Sequence, residues 1–282
     1  MQQNVRKLWF WILGIATLIL AVFEGVETNR KRQVKKIGVT LTPRGEKLVV
    51  VFGDSITHGG VSFNYVNLLA RRMGSKGYRF LNAGVDSDTA LDLLERIAPV
   101  IASQPQVVVI LIGTNDIERE LALGPVEKVT NGLPRRIPLE ASLEDYLAAM
   151  RQILTLFQQK TTARIGLCSI PVLGEDLDSL SNVLVRKYNV AIRDLVDEFG
   201  LAYLPVYEQM ETYLRTHQNK PGKAFTGFNS MFMTMFKRAI LRQDWDQISR
   251  GNGYLLNTDG IHFNSKGGTI IANEIEVFIN SC

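Results

Sequence analysis

Cysteine and histidine are scarce in this 282-residue chain, which holds two of the former and three of the latter. Cys168 and Cys282 give no spacing for a disulfide framework or a paired-thiolate site. His58, His217 and His262 form no H-E-x-x-H array, so no structural or catalytic zinc is expected. Cys168 lies inside an apolar run and reads as a small core hydrophobe. Nucleotide loops are missing too, with neither G-x-x-x-x-G-K-[ST] nor G-x-G-x-x-G present, and no cofactor is expected. Internal repeats and low-complexity tracts are also lacking.

Excess charge of one sign disappears once the charges are placed. The formal net charge is +4, but residues 1–36 carry seven Lys or Arg against two Glu, a balance of +5 that leaves −1 for the rest. A near-neutral domain has no electrostatic footprint for a polyanion, so no nucleic-acid partner is expected.

One long hydrophobic run is present. Residues 8–23 carry no charge and follow Arg6 and Lys7. As a helix they would rise about 24 Å, short of a hydrocarbon core of about 30 Å, and Gly25 and Val26 can extend them. Residues 1–27 read as an N-terminal membrane anchor or a signal segment; the end of the run offers no small-x-small cleavage site, which favours the uncleaved transmembrane helix. Trp9 and Trp11 would lie near one interface, giving a single-pass membrane protein. The cluster at 30–36 favours a cytoplasmic C-terminal flank and the short basic N-terminus favours the opposite, so the membrane side stays open.

After a basic linker, residues 28–45, short apolar runs alternate with helix-periodic stretches. Strands are predicted at 47–52, 78–82, 107–112, 164–169 and 201–204, and helices at 63–73, 89–102, 143–159, 180–199 and 265–278. The unbroken Val, Ile and Leu of 107–112 suit a strand covered on both faces. Such alternation implies a parallel sheet in a three-layer α/β domain over 46–282, with 205–258 as an insertion. Loops leaving the carboxyl ends of parallel strands build the site. They begin Gly53-Asp54-Ser55-Ile56-Thr57, Asn82-Ala83-Gly84 and Gly113-Thr114-Asn115-Asp116, and Asp259-Gly260-Ile261-His262 precedes the last helix.

A serine at a strand end, with an acid and a histidine three apart elsewhere, is the residue set of nucleophilic acyl transfer. An imidazole of pKa about 6.5 can take the hydroxyl proton at neutral pH. His262 is therefore the candidate base for Ser55, with Asp259 on its other ring nitrogen. Plainer readings exist: Ser55 as a helix cap, Asn115 and Asp116 as turn residues, Asp259 and His262 as the opening of the last helix. Asp54 reads as a turn support, Asp88 and Asp116 as helix N-terminal residues, and His58 as a cleft-lining side chain. The serine context lacks the second glycine of the G-x-S-x-G elbow.

The ordered blocks GDSIT, NAG, GTND and DGIH resemble those of the SGNH hydrolases, also called the GDSL esterase/lipase superfamily, over residues 48–279. The resemblance implies a flavodoxin-like three-layer α/β/α domain with a parallel five-stranded sheet, and a serine esterase without metal or cofactor. It maps the four named family residues onto Ser55, Gly84, Asn115 and His262. It also assigns the oxyanion hole to the backbone N–H of Ser55 and Gly84 and the side-chain amide of Asn115. Two departures bear on cleft width: many members place another glycine near Ser87, and Phe263 stands where a proline often follows the histidine.

Specificity is to be sought in 205–258, where Phe225, Phe228, Met231, Phe232, Met233, Met235 and Phe236 cluster. These suit either an acyl-contacting lid or an added helix packing on the core. In the lid reading Phe232 and Met235 join His58 and Asp54 as substrate contacts, while Arg238, Arg242, Trp245 and Asp246 can line a polar cleft for a glycan. The expected protein is a membrane-anchored serine esterase acting on an acyl lipid or acylated glycan, its catalytic domain extracytoplasmic. The alternative is a catalytically silent glycan- or lipid-binding domain of the same fold.

Overall fold

A computed structural model of the chain describes residues 45–126, 142–227 and 229–281. The expected anchor at 1–27, the linker up to residue 44, Phe228, Cys282 and the side chain of Phe232 lie outside the described residues. Among those described, no helix is long and apolar enough to cross a membrane.

Five parallel strands, β1 (Lys47–Gly53), β2 (Tyr78–Gly84), β3 (Val107–Leu111), β4 (Arg164–Cys168) and β5 (Ala202–Leu204), form one sheet in the order β2-β1-β3-β4-β5. This is the flavodoxin-like order, whose switch point lies between β1 and β3. Leu48, Val49, Val50, Val51 and Phe52 of β1 are fully buried, as their continuous apolar sequence requires. Gly53 pairs with both Gly84 and Leu111, so three strands end level at one rim.

The helices are α1 (Ser55–His58), α2 (Tyr65–Met73), α3 (Ala90–Glu95), α4 (Ile97–Ala102), α5 (Thr114–Val126), α6 (Leu143–Lys160), α7 (Leu180–Phe199), α8 (Val206–His217), α9 (Asn229–Ala239), α10 (Trp245–Asn252) and α11 (Ser265–Asn280). On one side of the sheet α11 packs against α2 and α8; on the other, α3 meets α6, and α7 meets α5 and α6. Helix α6 shows why these segments are helical. Ser142 and Asp145 form a capping box at its start, and Tyr146, Ala149, Met150, Ile153, Leu154 and Phe157 repeat at helical spacing on its buried face. Fully burying one such large side chain contributes about 1.5–3 kcal/mol.

Three expectations need correction. The predicted helix 89–102 is two helices meeting at Arg96. Pro99 has no N–H to donate and its ring would strike the carbonyl of Glu95, so the chain restarts with Pro99 in the first turn of α4. Residues 205–258 are not wholly an insertion, because α8 buries Val206, Tyr207, Met210 and Leu214 and packs on α11 as part of the core. Third, of the side chains read as able to line a glycan cleft, Arg238, Trp245 and Asp246 are engaged within the fold. Arg238 lies 4.9 Å over the Trp245 ring, and Asp246 accepts from the N–H and hydroxyl of Ser265, which holds α10 to the start of α11.

Helix α9 turns its polar face inward. Ser230 Oγ donates to the carbonyl of Asp259 at 2.6 Å and Thr234 is fully buried, whereas Met233, Met235, Phe236 and Ile240 are 55%, 37%, 49% and 64% exposed. Met235 therefore faces solvent, as do Met233, Phe236 and Ile240.

Candidate active site

Beyond Gly53, Asp54 caps α1 by accepting from the N–H of Ile56 at 2.9 Å, so that Ser55 opens the helix at the carboxyl rim. Near the other end of the chain, Asp259 Oδ1 accepts from the N–H groups of Ile261 and His262 at 3.0 and 2.9 Å. This tight turn passes through Gly260 at φ 98°, which glycine adopts without steric cost. It sets Oδ2 of the same carboxylate 2.9 Å from His262 Nδ1, and His262 Nε2 lies 2.9 Å from Ser55 Oγ. All three side chains are buried. An ionised carboxylate only accepts, so Nδ1 carries the ring proton and Nε2 is left to accept from the serine hydroxyl.

Burial works against both charges of the His262–Asp259 pair and is outweighed. It pushes Asp259 up, but the charge and hydrogen bonds of His262 hold the carboxyl below its ordinary range. It pushes His262 down, but Asp259, helped by Asp54 and Glu118, holds the imidazole above its ordinary value. Behind the turn, the buried Glu175 accepts from the N–H groups of Leu255, Leu256 and Asn257 at distances of 2.7 to 3.0 Å, fixing the approach to Asp259.

Several expected contacts sit elsewhere. Asp54, expected among the substrate contacts, is fully buried and offers a ligand no surface; burial pushes its carboxyl up to about 7. His58 reaches the surface half-buried, with Nδ1 2.9 Å from Asp86 Oδ1. The N–H of Gly84, expected to face the oxyanion, instead donates to Asn82 Oδ1 at 3.0 Å. Glycine is required there for packing, since a Cβ would lie 2.2 Å from the backbone N of His58 and 2.8 Å from the carbonyl oxygen of Asp54. Three residues on, Ser87 is exposed and left-handed at φ 64°, in the place beside which the resembling family often has glycine. Asn115 Nδ2 donates to the carbonyl of Asp88 at 2.9 Å, which holds its amide at the same rim.

Asp88 stands at the helix N-terminus as expected, one residue before the cap Thr89, which forms a capping box with Asp92. Asp88 pairs with the buried Arg96, whose Nη1 and Nη2 donate to the carbonyls of Ala83 and Gly53, both at 2.9 Å. The guanidinium lies 4.7 Å over the Phe52 ring. One cation thereby joins the ends of β1 and β2 to the loop that carries Ser87. Asp116 stands in the first turn of α5 and also accepts from the N–H of Ala90, and burial pushes it up to about 7.

Sequence reasoning misses Arg96, Glu118 and Glu175. Arg96 interrupts the apolar stripe of Leu93, Ile97 and Val100, and Glu118 lies one helical turn beyond Asn115; both are signals in the sequence. Glu175 offers none. Among the described residues no group of His, Cys, Asp and Glu is placed to hold a metal ion.

The sequence model of the GDSL-like lipase/acylhydrolase family matches residues 51–270. The chain belongs to this family. It is a GDSL/SGNH-type serine hydrolase of carboxylic esters. This GDSL hydrolase is 24% identical over 237 residues to GDSL esterase/lipase CPRD49 of Arabidopsis thaliana, covering 80% of this chain and 76% of that one. Its fold is similar to that of the acetyl xylan esterase AlAXEase, with TM-score 0.58, 19% identity, and 82% and 99% of the two chains covered. Axe2, an acetylxylan esterase from Geobacillus stearothermophilus, compares at TM-score 0.58 and 20% identity over 83% and 94%. At these identities the two structures speak for the fold of the GDSL hydrolase alone.

Proposed function

We propose that this GDSL hydrolase cleaves its ester through an acyl-enzyme on Ser55. The supporting observation is the unbroken run from Ser55 Oγ through His262 to Asp259, 2.9 Å at each link. Ser55 Oγ attacks the ester carbonyl as its proton passes to His262 Nε2, while Asp259 orients the ring and stabilises the imidazolium. That proton then goes to the departing oxygen as the C–O bond breaks and the alcohol leaves. Water, deprotonated by His262, attacks the acyl-enzyme, the acid departs, and Ser55 recovers its proton. The oxyanion is met by the N–H of Ser55, the amide of Asn115 and, in place of Gly84, the N–H of Ser87, an exposed residue at the turn after β2. Each such donor is worth roughly 3 to 4 kcal/mol.

In this reading residues 1–27 hold the enzyme at a membrane with its catalytic domain extracytoplasmic, supported by the uncharged run 8–23. The substrate is an acylated glycan, a reading supported by the acetylxylan esterases among the fold's neighbours. A lipid ester is favoured instead by the outward-facing Met233 and Phe236 of α9 and Ile240 just beyond it.

A fluorophosphonate probe should label the wild-type protein at Ser55 and leave Ser55→Ala unlabelled; equal labelling of both would remove the acyl-enzyme reading. Deleting residues 1–36 should release an active domain from membranes, and persistent membrane association would move the attachment to α9.

A pH dependence follows from the charge balance. Only neutral imidazole can take the serine proton, so kcat/KM should rise with pH through an inflection above the ordinary 6.5 of histidine. Asp259→Asn removes the partner that raises this value and should shift the inflection downward, lowering kcat by about 10^4-fold. An unmoved inflection would mean that Asp259 does not set the base.

A further inference from the structure

Helix α5 carries two polar side chains one turn apart beside the reacting groups: Asn115 at the rim, and Glu118 three residues on. Glu118 is 6% exposed, and its Oε1 has no hydrogen-bond partner among the described residues. A buried carboxyl oxygen without a partner is uncommon and calls for a ligand or a role. Glu118 borders a cavity of about 470 Å³ whose other walls include Leu121, Leu180, Ala224 and Phe225. Phe225 reaches the catalytic turn, its ring carbon 3.6 Å from where a Cβ on Gly260 would sit. The cavity therefore adjoins the Asp259–His262 turn. Burial, opposed by the charge of His262 and helped by those of Asp54 and Asp259, pushes the Glu118 carboxyl up to about 8. At neutral pH it is mostly protonated and can both donate and accept.

We propose that Glu118 is a specificity-determining residue whose carboxyl hydrogen-bonds a free hydroxyl on the alcohol part of the ester, seated in this cavity. This rests on the esterase reading above and narrows its substrate class to polyol mono-esters. A saturated chain filling the same space would leave the carboxyl unpaired, and a site built to bond a hydroxyl rejects an analogue that lacks one. A hydroxyl pairs it, while Phe225 and Leu121 cover the apolar face of the ring or chain that bears it. Sugar and glycerol both supply that chemistry.

The test compares three acetates of one acyl group: a methyl pentoside monoacetate, glycerol monoacetate and cyclohexyl acetate. The wild type should prefer the hydroxylated esters in kcat/KM by at least about tenfold, mainly through KM, and Glu118→Leu should cut that preference ratio by about tenfold. Glu118→Gln, which keeps a donor and an acceptor, should retain most of it. The pentoside and glycerol arms distinguish a glycan from a lipid-derived source. An unchanged ratio in Glu118→Leu overturns the proposal, as does an equal loss on all three esters accompanied by a shifted acid inflection. Competitive inhibition of the wild type needs no variant: methyl pentoside or glycerol should inhibit and cyclohexanol should not, and the reverse order overturns the assignment. Failure of the esterase reading is distinct, appearing as loss of fluorophosphonate labelling at Ser55.

Discussion

Ser55→Ala should lower kcat for p-nitrophenyl acetate by about 10^6-fold while the domain stays folded. The magnitude follows from what remains when the hydroxyl is removed. His262 and Asp259 keep their mutual contact at 2.9 Å but have no oxygen to activate, so the two lose their effect together with the nucleophile. The amide of Asn115 and the backbone donors persist, and binding plus oxyanion stabilisation leaves roughly 10^3-fold acceleration over water. The cost to the fold is modest because Ser55 Oγ has one hydrogen bond, to the buried His262 ring; about 1–3 kcal/mol is expected. Steady-state hydrolysis and a thermal melt check both parts. Activity within tenfold of wild type would place the nucleophile elsewhere.

The other large effect is on stability. Arg96→Met should destabilise the domain by about 3–5 kcal/mol, because it strands a carboxylate in a site built for a pair. Asp88 is 1% exposed and Arg96 6%, so little water is at hand to replace the guanidinium. The carbonyls of Ala83 and Gly53 also lose a donor at the ends of two core strands. A melting temperature roughly 10 °C lower is expected for a domain of this size. Arg96→Lys keeps the charge but cannot fork to Asp88 and two carbonyls together, so it should recover only part of the loss. Adding Asp88→Asn to Arg96→Met should recover some stability by removing the stranded charge. An unchanged melting temperature in Arg96→Met would show that the pair does not hold the strand ends together.

How far the chain can be read in advance depends on whether a feature belongs to side chains or to the backbone. The strands were legible because their apolar runs are continuous and buried, and the five observed lie within about two residues of the predicted ranges. Helix 89–102 was misread as one piece because its periodicity continues across Pro99 while its hydrogen bonding cannot. Ser55, Asn115, Asp259 and His262 could be picked out because each is a distinctive side chain at the end of a predicted element. The loop N–H proposed in place of that of Gly84 could not. Which N–H faces a cleft depends on the path of the loop after β2, and there Asn82 occupies the N–H of Gly84 while the chain turns at Ser87. Arg96 and Glu175 escaped notice for a related reason. Their partners include main-chain carbonyls and amides, which every residue possesses and no letter of the sequence singles out.

The serine and the imidazole that meet across 2.9 Å are separated by 207 positions along the chain. A nascent polypeptide thus completes its nucleophile early in synthesis, yet has nothing to activate it until the final segment emerges and docks. Turnover of a chromogenic ester consequently reports finished assembly of the whole sheet, so a refolding time course followed by activity should trail one followed by helix content.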